Sequence, residues 1–104
     1  MILLTVGTQL PFDRLVDIVD RAAPALSEEV VAQIGDSDLE PRNLRWQRSV
    51  DPNEFERRFI AARLIVGHAG IGTVLMALRN NKALIVMPRR AALREHRNDH
   101  QMAT

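Results

Sequence analysis

Leu64-Ile65-Val66-Gly67-His68-Ala69-Gly70-Ile71-Gly72-Thr73-Val74-Leu75-Met76-Ala77-Leu78-Arg79 changes its structural period partway along. Three consecutive apolar residues stop at a glycine, the pattern of a strand buried on both faces of a parallel sheet. A loop punctuated by Gly67, Gly70 and Gly72 follows. Gly72 to Arg79 then reads as a helix, and Asn80-Asn81 suits a left-handed cap at its end. Strand, tight loop and helix make half of a βαβ unit.

The same signature recurs along the chain. Ile2 to Val6 runs into Gly7, Ala83 to Met87 into Pro88, and Val30 to Ile34 into Gly35. Leu44-Arg45-Trp46-Gln47-Arg48 alternates instead, which predicts an edge strand with one wet face. Phe12, Leu15, Val16, Val19 and Ala22/Ala23 recur at helical spacing until Pro24 stops them. Asp51-Pro52-Asn53-Glu54 is a helix start, with an acid at the N-cap and proline in the first turn. Phe55, Phe59 and Ile60 then supply an apolar face. Alternating strands and helices predict an α/β fold: one Rossmann-like domain over residues 1–104, an open parallel sheet with flanking helices and right-handed crossovers. The chain ends at Gln101-Met102-Ala103-Thr104, where a further helix should be under way, so the domain reads as incomplete at its C-terminal end.

Composition narrows the function. The 104 residues are 46% hydrophobic and 26% charged, a globular balance with room for one domain. No apolar run approaches the ~18 residues of a membrane span. The N-terminus lacks the basic leader of a signal peptide, and there is no cysteine, which removes disulfides, thiolate metal sites and thiol nucleophiles. A cytoplasmic protein is expected. Net charge is +1, yet Asp13, Asp17, Asp20, Glu28, Glu29, Asp36, Asp38 and Glu40 crowd the first part of the chain while most arginines follow. That asymmetry fits an anionic ligand or two solvated faces of opposite sign. Phe12, Trp46, Phe55 and Phe59 are too scattered for a base-stacking platform, so no nucleic-acid partner is expected.

Ligands of open parallel sheets bind beyond the carboxyl ends of the strands. Three loops leave strands there: Gly7-Thr8-Gln9-Leu10-Pro11, His68 to Thr73, and Pro88-Arg89-Arg90 through Gln101. The middle loop enters a helix N-terminus, where free N–H groups and the dipole favour a phosphate; the plainer alternative is a tight strand-to-helix turn. Its Gly-x-x-Gly-x-Gly spacing is neither the dinucleotide fingerprint nor a P-loop, and Lys82, the only lysine, lies beyond the helix. NTPase chemistry is not expected. A dinucleotide-dependent oxidoreductase is disfavoured too, since only Asp36 or Asp38 stands where a ribose-binding acid belongs. His96 and His100 would share a helix face, but without an intervening Glu and a clear third ligand they do not make a metal site. Hydrogen bonding to ligand hydroxyls suits Glu95, His96, His100 and Gln101 better.

Taken together, Val6-Gly7-Thr8-Gln9 with Pro11-Phe12-Asp13-Arg14-Leu15, then His68-Ala69-Gly70-Ile71-Gly72-Thr73, then Pro88-Arg89 and Glu95-His96…His100-Gln101 resemble the glycosyltransferase family 28 C-terminal domain. Nearest in pattern are its small stand-alone versions, the catalytic subunits of two-part UDP-sugar transferases in dolichol-linked glycan and bacterial exopolysaccharide synthesis. The resemblance covers residues 6 to 101. It implies the donor-binding half of a GT-B enzyme, an inverting transfer from a UDP-sugar without a metal ion or other cofactor. It also implies a membrane-anchored partner subunit that carries the acceptor site for a lipid-linked sugar, which would make this chain peripheral to the membrane. Gly7, Thr8 and Gln9 with His68, Ala69, Gly70, Ile71, Gly72 and Thr73 would hold the donor, and Glu95, His96, His100 and Gln101 would face its sugar or diphosphate. Arg89 and His100 are the candidate catalytic residues; a structural salt bridge is the other reading of Arg89. Two positions depart from the family: Met76 replaces an acid that binds ribose, and Asn81-Lys82-Ala83 replaces Gly-Lys-Pro. A non-catalytic nucleotide-binding module is the alternative function.

Overall fold

The computed structural model describes residues 1–7 and 12–88. Five strands form one parallel sheet: β1 (Ile2–Thr5), β2 (Val30–Gln33), β3 (Arg45–Gln47), β4 (Leu64–His68) and β5 (Ala83–Met87), in the order β3-β2-β1-β4-β5. Helices α1 (Asp13–Ala22), α2 (Pro52–Ala61) and α3 (Ile71–Arg79) connect them. The α/β, Rossmann-like expectation holds, with each strand within a residue or two of its apolar run.

Strand alternation divides the core between the two faces. Ile2, Leu4 and Val6 pack with Phe12, Leu15, Val16 and Val19 of the α1 side, together with Val30, Ala32 and Ile34. Leu3 and Ile65 face the other way, against Phe59, Ala62 and Ala77 of the α2–α3 side. Phe12 and Phe59, the two largest fully buried side chains, anchor opposite faces of β1. A central strand is covered on both faces, which is why residues 2–6 show no alternation; the one polar member, Thr5, donates its hydroxyl to Gln33 Oε1 at 2.9 Å.

Helix ends follow local chemistry. Asp51 accepts from the Asn53 amide at 3.0 Å, with Pro52 in the first turn. Glu54 turns its carboxylate to Arg57 and Arg58. α1 gives way at Ala22 to one 3-10 turn over Ala23–Ala25 that contains Pro24. At the end of α3, Asn81 takes φ 53° while its N–H reaches the Leu78 carbonyl and the Lys82 N–H reaches that of Ala77. This is a Schellman cap with asparagine at the left-handed position.

Two expectations need correction. Ala83 to Met87 is not buried on both faces: β5 is the last strand in the sheet order, and Ile85 is 56% exposed. Ile60 does not join the apolar face of α2. Phe55 and Phe59, one turn apart, stack towards the sheet with centroids 5.9 Å apart, and the next residue points about 100° away; Ile60 is accordingly exposed. β3 is the expected edge strand, its Trp46 half-buried beneath the Arg48 guanidinium at 4.9 Å. Among the described residues, no helix is long and apolar enough to cross a membrane.

Candidate nucleotide-sugar site

The strand order reverses between β1 and β4. From β1 the chain moves outward through β2 to β3, then returns to β4 on the other side of β1. Connections on opposite faces part at that point, leaving a crevice at the carboxyl ends of β1 and β4. Thr5 and Gly67 are register partners there, so Gly7 and the segment after His68 emerge side by side.

His68 fills the space between these two exits. A Cβ placed on Gly7 would lie 3.0 Å from His68 Cε1 and Nε2, and one on Gly70 only 2.3 Å from Nε2. The imidazole therefore occupies the room that two side chains would need, and both backbones close onto it. Gly7 adds a positive φ of 81°, which a side chain adopts only under strain. Its carbonyl in turn meets Gly35, where a Cβ would stand 3.3 Å away. Gly67 lets α3 approach the sheet: a Cβ there would stand 3.2 Å from the Thr5 carbonyl and 3.5 Å from the Thr73 methyl.

These contacts aim the N-terminus of α3 at the crevice. The first bond of the helix runs from the Val74 amide to the Gly70 carbonyl at 3.1 Å. The N–H groups of Ile71, Gly72 and Thr73 precede it and lack intrahelical acceptors, so they present partial positive charge. Among the described residues nothing lies within 4 Å of a Cβ position at Gly72. Ala69 is buried, and the Ile71 side chain is 79% exposed, so both bear on the site through their backbone. The loop is a tight turn shaped around His68, and the first-turn amides of α3 lie just beyond it.

Lys82 has no part in this. Its ammonium donates to the Ala62 carbonyl at 2.7 Å and to that of Ile60, which caps the end of α2. Met76, at the position of the family's ribose-binding acid, packs against the Leu3–Phe59 cluster. A cleft of ≈ 200 Å³ opens elsewhere, between α1 and residues 39–42, but Asp17, Asp20 and Glu40 line it, the wrong sign for a diphosphate. Among the described residues no group of three metal-binding side chains forms. Thr8, Gln9, Arg89, Glu95, His96, His100 and Gln101 lie outside the described residues.

Sequence reasoning left two residues of this region without a role. Gly35 touches the Gly7 carbonyl, and its signal was the glycine that ends β2 just as Gly7 follows β1. Arg14 reaches Met87 and Pro88 from α1; no local pattern pairs residues so distant in sequence.

None of the curated proteins matches the chain. The family model of the glycosyltransferase family 28 C-terminal domain matches residues 1–103, nearly the full length. With its parallel sheet and a glycine-lined helix N-terminus at the switch point, the chain belongs to the glycosyltransferase family 28 C-terminal domain.

Proposed function

We propose that the crevice between Gly7 and the Gly70–Thr73 turn binds the diphosphate of a UDP-sugar, and that the chain is the donor-binding subunit of an inverting transferase. The observation that carries this reading is the first turn of α3, with three amides free of intrahelical acceptors and, among the described residues, nothing within 4 Å of a Cβ position at Gly72. As the glycosidic bond breaks, negative charge develops on the leaving diphosphate, and amides fixed at a helix N-terminus stabilise it without reorganising. No metal is required by this arrangement. The sugar would be met by Glu95, His96, His100 and Gln101, with Arg89 near the diphosphate.

The acceptor in this reading is a lipid-linked sugar, brought by a membrane-attached partner that also supplies the base for its hydroxyl. In this reading that partner also forms the wall of the cleft opposite the donor site. Calorimetry with UDP and UDP-sugars tests the site. Binding by the parent chain, unchanged by EDTA and lost in Gly72→Asp, is expected; equal affinity in a folded Gly72→Asp would overturn the assignment. Transfer to a lipid-linked acceptor by the purified chain alone would overturn the partner requirement. Binding that never leads to transfer, even with the partner, would mark a non-catalytic module.

A further inference from the structure

Arg14 leaves the first turn of α1 and crosses the carboxyl edge to the end of β5. Its Nη1 donates to Met87 Sδ at 3.2 Å and its Nη2 to the Pro88 carbonyl at 3.1 Å. The guanidinium also lies 5.3 Å from the centroid of the buried Phe12 ring, a cation–π contact. Met87 is the register partner of His68, the residue enclosed by Gly7 and Gly70. One side chain therefore ties the start of α1, which follows the β1 loop, to the exit of β5, on the strand paired with that of His68. Among the described residues β5 pairs with β4 alone, so its last residues gain position from this tie.

We propose that Arg14 is a positioning residue of the nucleotide site, holding Met87 and Pro88 against α1 and thereby setting the spacing of the crevice around His68. The inference rests on the reading of that crevice as the UDP site. A guanidinium donates to two acceptors at once from a planar fork, which an ammonium cannot reproduce.

The test compares the parent chain with Arg14→Met, which keeps an unbranched side chain without the donors, and Arg14→Lys, which keeps the charge. Amide exchange across β5 without nucleotide reads the tie itself, and UDP affinity at a temperature well below unfolding reads its effect on the site. Faster β5 exchange and about tenfold weaker UDP binding are expected for Arg14→Met, with Arg14→Lys between it and the parent. Arg14→Lys alone decides if Arg14→Met does not fold. A lower melting temperature with unchanged UDP affinity would reduce Arg14 to a structural role and overturn the proposal, as would unchanged β5 exchange. Failure of the parent chain to bind UDP would instead count against the site assignment, while the exchange measurement still judges the tie.

Discussion

Gly70 and Gly72 sit two positions apart in one loop and are needed for different reasons. Gly70 has an ordinary φ of −83°, so its requirement is steric: the His68 ring stands where its side chain would go. Gly72 meets nothing, and only a ligand would notice a side chain there. Gly70→Ala should cost ~1 to 3 kcal/mol in urea unfolding by overpacking. Gly72→Ala should instead stabilise by up to ~1 kcal/mol, because alanine outranks glycine in a helix. Removing the ring should relieve the first effect, so the cost of Gly70→Ala should shrink in a His68→Ala background. An undiminished cost there would show that His68 is not the obstacle. Gly72→Asp is therefore the cleaner probe of nucleotide binding, since Gly70→Asp would displace His68 as well.

At the scale of elements, α3 is held mainly at its ends. Only Ala77 of this helix is buried, while Ile71, Leu75 and Leu78 are exposed along one side. Its C-terminus depends on Asn81 in the left-handed region and on Lys82, which also caps α2. Asn81→Gly should be neutral or stabilising by up to ~1 kcal/mol, and Asn81→Ala should cost ~1 kcal/mol, as only glycine and asparagine take that conformation readily. Lys82→Met should cost ~1 kcal/mol, the worth of a lost hydrogen bond to the α2 carbonyls. Chemical denaturation reads all three, and a destabilised Asn81→Gly would contradict the cap geometry.

For the whole molecule, the two cores share β1, so the faces should unfold together. Phe12→Ala and Phe59→Ala should each cost ~3 to 5 kcal/mol and keep a single transition. Two separable transitions would mean that β1 does not couple the faces. The opposite, amino-terminal edge of the sheet carries an acid-sensitive ion pair. Arg63 donates to both carboxylate oxygens of Glu28 at 2.8 Å and draws its pKa down from 4.5 to about 2. A carboxyl lowered in the folded state stabilises it fully above its unfolded value, and that contribution is lost as pH falls. Stability should therefore decline from about pH 4.5 towards pH 2, and Glu28→Gln should flatten this limb of the profile. An identical acid limb in Glu28→Gln would assign the sensitivity to other carboxylates.

Much of the fold is written in short-range pattern. An apolar run closed by glycine marks β1, β2 and β4, Asp51-Pro52 starts α2, and Asn81 ends α3, because strand alternation, caps and turn conformations depend on residues a few positions apart. The strand-to-helix turn at residues 67–73 was legible for the same reason. Strand order was not legible, since pairing is decided by how both faces of the sheet find cover. From that order alone comes the edge position of β5 and the exposure of Ile85, although Ala83 to Met87 is as apolar as the central strand. Only the assembled sheet brings Gly7, Gly35, His68 and Gly70 into contact, and Arg14 to Pro88. Apart from His68 and Gly70, these residues are distant in sequence, and their close approach exists only once the strands are side by side.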